Sequence, residues 1–213
     1  ELGGVGIVSG YGLTEMPILS QNAVDDPDEK LAISEGRASP GVEIRVVSPD
    51  GAALGAGEVG EICARGPMLC KGYLDSSLNA AAFEADGFFH TGDLGYLDED
   101  GFVVITGRLK DVIIRKGENI SAKEVEDVLY TLSSVADVAV IGLPDRERGE
   151  LCCAVVQCSA GEPPLTFEAM VAHCESSGLM RQKIPERLEL IDEIPRNASG
   201  KIVKFELRDR YSS

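Results

Sequence analysis

Apolar residues along this chain change rhythm once, near Gly107. Before that point they come in short alternating runs. Val42, Ile44 and Val46 alternate with Glu43 and Arg45, the period of a half-buried strand. Residues 59–65 predict a second strand, and residues 5–9 a short buried strand leading into a turn at Gly10-Tyr11-Gly12. Polar, acidic residues 17–39 predict a surface connection, and residues 74–83 one short helix. Asp50-Gly51 predicts a turn, and Asp100-Gly101 a hairpin between residues 95–98 and 102–106. After Gly107 longer elements follow. Val112-Ile113-Ile114 predicts a strand. Ser121-Ala122-Lys123-Glu124 matches a capping box, with Val125, Val128, Leu129 and Leu132 at helical spacing behind it. Residues 138–143 and 151–158 predict apolar strands around a charged loop, 145–150. Thr166 predicts the cap of a helix with Phe167, Met170, Val171 and Cys174 on one stripe, and residues 188–191 a last strand. The fold class is α+β: a β-rich first part, residues 1–107, then a small mixed α/β unit with its own core, residues 108–213. The boundary lies near Arg108-Leu109-Lys110. No internal repeat or low-complexity tract interrupts this order.

Hydrophobic residues make up 44% and charged residues 26% of the 213 positions, a balance that supports a packed core rather than disorder. The net charge of −16 argues against nonspecific binding to nucleic acid or an anionic membrane. Cys63, Cys70, Cys152, Cys153, Cys158 and Cys174 form no CxxC pair and are expected as free core residues in a reducing compartment. His90 and His173 lie far apart, without metal-ligand spacing. No signal peptide is expected, and no apolar run reaches the ~18 residues of a membrane span. A soluble, acidic, cytoplasmic protein is the expectation.

Four polar blocks stand outside this pattern. Tyr11-Gly12-Leu13-Thr14-Glu15, taken alone, is a capped turn. Asp93, in Thr91-Gly92-Asp93-Leu94, is alone a turn aspartate, although such a carboxylate can accept hydrogen bonds from both ribose hydroxyls. Gly92 there allows close backbone approach. Residues 107–118 gather Arg108, Lys110, Arg115 and Lys116, which fits a solvated strand edge. Lys201, after Pro195, Asn197, Ser199 and Gly200, is ordinarily a solvated charge on a loop. His90 reads as a loop histidine without a proton-transfer role.

Taken together and in order, Tyr11-Gly12-Leu13-Thr14-Glu15, His90-Thr91-Gly92-Asp93-Leu94, Gly107-Arg108-Leu109-Lys110-Asp111 and Pro195-Arg196-Asn197-Ala198-Ser199-Gly200-Lys201-Ile202 resemble the acyl-CoA synthetase branch of the adenylate-forming enzymes. The resemblance runs from about Gly10 to Leu207. It implies the last, β-rich subdomain of a large N-terminal domain followed by a small mobile C-terminal domain. The implied reaction converts a fatty or aromatic carboxylic acid and ATP into an acyl-adenylate, which CoA then converts into acyl-CoA and AMP. In that scheme Thr14 contacts the nucleotide phosphates, Glu15 holds Mg2+, Tyr11 packs against adenine, and Asp93 binds the ribose with help from Arg108. Lys110 matches the hinge. Lys116-Gly117-Glu118-Asn119 matches the segment that approaches the pantetheine arm of CoA, where Gly117 leaves room. Lys201 matches the adenylation lysine, which bridges the attacking carboxylate and the α-phosphate, on a loop that Gly200 leaves free to enter a cleft. The family's phosphate loop lies upstream of Tyr11, so the resemblance implies a C-terminal fragment of a longer enzyme, inactive by itself. The alternatives are a nonribosomal-peptide adenylation domain, whose usual Asn-Gly-Lys ending fits less well, and a noncatalytic binding module on the same fold.

Overall fold

The computed structural model describes residues 7–212, and the chain divides into two compact units, Glu1–Leu109 and Lys110–Ser213. In the first, β1 (Gly10–Leu13) and β2 (Met16–Gln21) form a hairpin. Helix α1 (Asp28–Ile33) leads to β3 (Arg37–Ala38), which pairs with β2. β4 (Glu43–Val47), β5 (Gly60–Arg65), β6 (Phe89–Leu97) and β7 (Val103–Arg108) form an antiparallel sheet in sequence order, with α2 (Asn79–Ala82) between β5 and β6. The alternation read from residues 42–46 sorts its two faces. Val46, Ile62 and Val103 pack together on one. Arg45, Cys63 and His90 are cross-strand partners on the other, where Arg45 and Arg65 lie over the Phe88 ring at 4.0 and 4.6 Å.

Several expectations fail in this unit. Residues 17–39 are not a surface connection but contain β2, α1 and β3. Their buried polar groups escape a hydropathy reading because each is satisfied locally: Asn22 Nδ2 donates to the Ser34 carbonyl (2.8 Å) and Ser20 Oγ to that of Glu35 (2.8 Å). Residues 74–83 are not one helix. A 3-10 turn, Ser76–Leu78, is capped by Asp75, and only the single turn α2 follows, since Phe83 turns extended and bridges to Phe89. Of residues 5–9, Val5 and Gly6 lie outside the described residues. Ile7, Val8 and Ser9 are irregular rather than a buried strand, with Ile7 and Val8 exposed, and Gly10-Tyr11-Gly12 lies in β1 rather than in a turn.

The second unit is built on a long hairpin. β8 (Val112–Arg115) and β9 (Glu118–Ser121) precede α3 (Ala122–Leu129). β10 (Val135–Asp145) and β11 (Gly149–Cys158) pair antiparallel, α4 (Phe167–Ser176) follows, β12 (Arg187–Leu190) pairs parallel with β11, and α5 (Lys204–Tyr211) ends the unit. The sheet runs β10-β11-β8-β9, with β12 also on β11. Val138, Val140, Cys152, Ala154 and Val156 pack with Val125, Leu129, Met170 and Cys174 of α3 and α4. Ala139, Ile141, Cys153 and Val155 pack with Ile194 and Leu207. Adjoining Cys152 and Cys153 therefore serve two different cores, and all six cysteines are free.

Both cap signals hold. Ser121 Oγ accepts from the Glu124 N–H at 3.4 Å, and Thr166 Oγ1 from the Ala169 N–H at 3.2 Å. The Glu124 carboxylate accepts from Lys183 Nζ at 2.7 Å on each oxygen. Phe167 is 41% exposed and leaves the expected stripe, because at the first helical position it lines an open cavity. β9 and α5 carry no clear sequence signal; in α5 only Leu207 is buried, among charged neighbours.

Leu207 is fully buried against the β10–β11 face, so Leu207→Ala should cost ~2–5 kcal/mol. Denaturant unfolding checks this: an unchanged midpoint would show that α5 does not complete the second core.

Candidate functional site

Asp93 is the most buried acidic side chain of the first unit, 4% exposed. β6 carries it, and β7 places Arg108 directly opposite. Arg108 Nε lies 2.9 Å from Oδ1, and Tyr11 of β1 donates its hydroxyl to Oδ2 at 2.6 Å. The Asp93 N–H donates to Thr91 Oγ1 (3.0 Å), whose own hydroxyl donates to the Ile62 carbonyl (2.7 Å). Tyr11, Asp93 and Arg108, distant in sequence, are thus joined in one cluster. Each carboxylate oxygen has a second lone pair, so the group can still accept from a ligand's hydroxyls. Burial first, and the hydrogen bond to Asp93 second, raise the Tyr11 phenol well above its ordinary pKa. Gly92 adopts φ +71, and a Cβ there would meet nothing within 4 Å. Backbone conformation, not close approach by this unit, accounts for the glycine.

Thr14 and Glu15 form the two-residue turn between β1 and β2. Thr14 is exposed. Glu15 does not join the Asp93 cluster: its Oε1 accepts from the Tyr73 hydroxyl at 2.8 Å. That bond, ahead of burial, pushes the Tyr73 phenol up to about 12. Sequence reasoning missed Tyr73, which sits in an irregular stretch without periodicity. It also missed Glu61, which reads as a strand's solvent-facing residue but accepts from the Gly92 N–H at 3.0 Å. His90 is not a loop histidine. It lies in β6 opposite Cys63, with Glu61 Oε2 2.9 Å from its Nδ1 and Glu84 Oε1 3.3 Å from its Nε2.

Lys110 is exposed in a 3-10 turn, Leu109–Asp111, and Arg208 of α5 donates to its carbonyl at 3.5 Å while contacting Asp111 at 3.3 Å. Lys116 and Gly117 are the two loop residues of the β8–β9 hairpin, with φ +51 and +84. Two positive φ values mark the primed turn that matches strand twist, and glycine carries the second most cheaply. A Cβ on Gly117 would meet nothing within 4 Å, so turn conformation, rather than room within this unit, requires the glycine.

The Lys201 loop is closed by hydrogen bonds. Asn197 Oδ1 accepts from the Ser199 N–H (3.1 Å), the Ser199 hydroxyl (2.8 Å) and the Lys201 N–H (2.9 Å). Arg196 bonds the Gly200 carbonyl at 2.6 Å and Asp137 of β10 at 2.5 Å. Gly200 serves this closed turn through its φ of +80. Lys201 is exposed. The two loops are anchored at opposite ends of the long hairpin: Lys201 through Asp137, and Lys116 through its N–H to the Arg148 carbonyl at 2.8 Å. About 25 Å of strand separates those anchors. A cavity of 630 Å³ lined by Arg115, Arg148, Arg181 and Glu186 includes neither Gly117 nor Lys201. Its Glu186 pairs with Arg115 (2.5 Å) and Arg148 (3.1 Å).

Among the described residues no helix is long and apolar enough to cross a membrane. The sequence pattern of the AMP-binding enzymes matches residues 1–74, and that of the AMP-binding enzyme C-terminal domain residues 124–201. The chain is 40% identical over 206 residues to a medium-chain fatty-acid–CoA ligase of Escherichia coli, covering 96% of this chain and 36% of the relative. It is 40% identical over 200 residues to a 2-hydroxy-7-methoxy-5-methyl-1-naphthoate–CoA ligase of Streptomyces carzinostaticus, covering 93% and 36%. The ATP-bound crystal structure of MatB from Rhodopseudomonas palustris superposes with a TM-score of 0.90 at 35% identity, over 97% of this chain and 41% of that one. The chain thus spans little more than a third of the length of these curated relatives.

The raised Tyr11 pKa has a definite sign. The folded state keeps a proton that the unfolded tyrosine releases near pH ~10, so this stabilisation is complete below that pH and is lost as pH rises above it. Tyr11→Phe should make the alkaline fall in stability shallower, read as thermal midpoints between about pH 9 and 11. An identical slope in the variant would remove Tyr11 from the coupling.

Proposed function

The chain belongs to the AMP-binding enzyme family, and on that premise we propose that it forms the C-terminal part of an AMP-forming ligase joining a fatty or aromatic acid to CoA at the expense of ATP. The opposite placement of the Lys201 turn and the Lys116-Gly117 turn carries this reading. Two hydrogen-bonded loops, anchored about 25 Å apart on one unit, suit two successive reactions in which each loop is presented in turn.

In the first reaction Asp93 accepts hydrogen bonds from the ribose hydroxyls of ATP, held in place by Tyr11 and Arg108. Tyr11 keeps its expected place against adenine while its hydroxyl donates to Asp93. Thr14, exposed at the turn, faces the phosphates. Lys201 bridges the attacking carboxylate and the α-phosphate, offsetting the repulsion of two anions. Glu15 fits a Mg2+ ligand, since Tyr73 engages Oε1 and Oε2 remains as a hard oxygen donor, and Mg2+ commonly takes one protein carboxylate besides phosphate oxygens. Bound there, the ion would neutralise phosphate charge. In the second reaction the Lys116-Gly117 turn approaches the pantetheine arm, and CoA thiol displaces AMP from the adenylate. The scheme uses no enzyme nucleophile, and the six free cysteines suit a cytoplasmic setting. Lys110 serves as the hinge, at the division between the two units.

Two substitutions in the full-length enzyme test this scheme. Lys201→Ala should slow acyl-adenylate formation by roughly 100- to 1,000-fold and spare thioester formation from synthetic acyl-AMP and CoA; equal loss in both would overturn the role given to Lys201. Lys110→Pro fixes φ near −65° and restricts Leu109, so it should leave adenylation near normal and suppress thioester formation. Wild-type rates in both, measured separately before steady state, would exclude Lys110 as the hinge.

A further inference from the structure

The geometry points to a zinc-class divalent metal site on β5 and β6, formed by Glu61, Cys63 and His90. It is independent of the ligase reading. Strand pairing creates it: Cys63 and His90 are direct cross-strand partners, and Glu61 lies two residues before Cys63 on the same face of β5. One ligand atom from each of the three falls within 4.8 Å of the others. His90 Nδ1 is 2.9 Å from Glu61 Oε2 and 3.4 Å from Cys63 Sγ. Tetrahedral zinc with bonds of ~2.0–2.3 Å needs ligand atoms roughly 3.4–3.6 Å apart, so the Nδ1–Sγ spacing already fits and the Nδ1–Oε2 pair needs to open by roughly 0.5 Å. A thiolate, an imidazole and a carboxylate are the donor set of a borderline-soft divalent ion rather than of Mg2+ or Ca2+.

The surroundings supply what such a site requires. A metal-bound histidine usually gives its second ring N–H to a carboxylate, and Glu84 Oε1 lies 3.3 Å from His90 Nε2. Glu84 is itself held by Arg45 at 2.5 Å. Cys63 is fully buried, whereas the His90 and Glu61 side chains are 31% and 17% exposed, which provides an entry path. Three protein ligands leave the fourth position to water. Binding replaces the Cys63 S–H by a sulfur–metal bond and releases that proton to solvent. The other oxygen of Glu61 accepts from the Gly92 N–H at 3.0 Å, so a metal on Glu61 also braces the Thr91-Gly92-Asp93 segment.

Reduced, chelator-treated protein titrated with Co2+ should take up one equivalent, with a thiolate charge-transfer band and tetrahedral visible bands that Zn2+ then displaces. Cys63→Ser should abolish the charge-transfer band. His90→Gln and Glu61→Gln should each weaken binding by at least about tenfold, and Glu84→Gln by roughly 10- to 100-fold. Cys70→Ser and Cys158→Ser, at the two half-buried thiols, should change nothing. If circular dichroism shows Cys63→Ser unfolded, the partly exposed positions His90 and Glu61 decide. Absence of stoichiometric uptake, a thiolate band that survives Cys63→Ser, or unaltered affinity in both His90→Gln and Glu61→Gln overturns the site.

Discussion

One buried carboxylate organises the first unit. Removing an ion from water carries a penalty of several kcal/mol even after relaxation, and the Asp93 carboxylate meets it with partners from two other strands. β7 brings Arg108 opposite, and β1 sends Tyr11 across from a hairpin that is not part of the four-stranded sheet, while Thr91 accepts from the Asp93 N–H. The Tyr11 ring packs among Met16, Ile44 and Val46 at the same time. Hairpin, sheet and carboxylate therefore stand or fall together. A shift of one residue in the β6–β7 register would turn Asp93 away from Arg108 and leave a charge buried alone.

The second unit depends on a different constraint, the two-faced β10–β11 hairpin. Buried on both sides, it reads as apolar along its length, and its neighbours alternate between the α3–α4 core and the α5 core. Its free edge is occupied too: Glu126 of α3 accepts from the Val140 N–H at 2.7 Å and pairs with Lys204 of α5 at 2.8 Å. Hydrogen bonds also close the turns at both ends. Lys201 and Gly117 sit in closed hydrogen-bonded turns, so under the proposed function neither loop delivers its group by flexing. Motion of the whole unit about a few residues is the physically economical alternative.

The cysteines and His90 show how one face of a sheet acquires chemistry unrelated to the rest of the molecule. Cys152 and Cys153 are packing residues. Burial, ahead of the charge of Glu61, pushes the Cys63 thiol up to about 12, yet that thiol lies beside an imidazole flanked by two carboxylates. The same residue type is inert in one sheet and a candidate ligand in the other because of what the neighbouring strand places opposite it.

By itself the sequence determined the α+β class, the strands at residues 42–46, 59–65, 112–114, 138–143 and 151–158, the caps at Ser121 and Thr166, and the ordered blocks that carry the family resemblance. These are local signals: periodicity, cap chemistry and short motifs are written in adjacent residues. Only the tertiary structure decided the rest. Buried polar positions such as Asn22 and Ser34 look like surface until their partners are known, and α5 hides because its one buried residue finds a core made by distant strands. Tyr73 and Glu61 gained their roles from partners at separations of 58 and 31 residues. His90 gained its role from strand register. The closure of the Lys201 turn, and its distance from Gly117, follow from hydrogen bonds and a hairpin length that no short motif encodes.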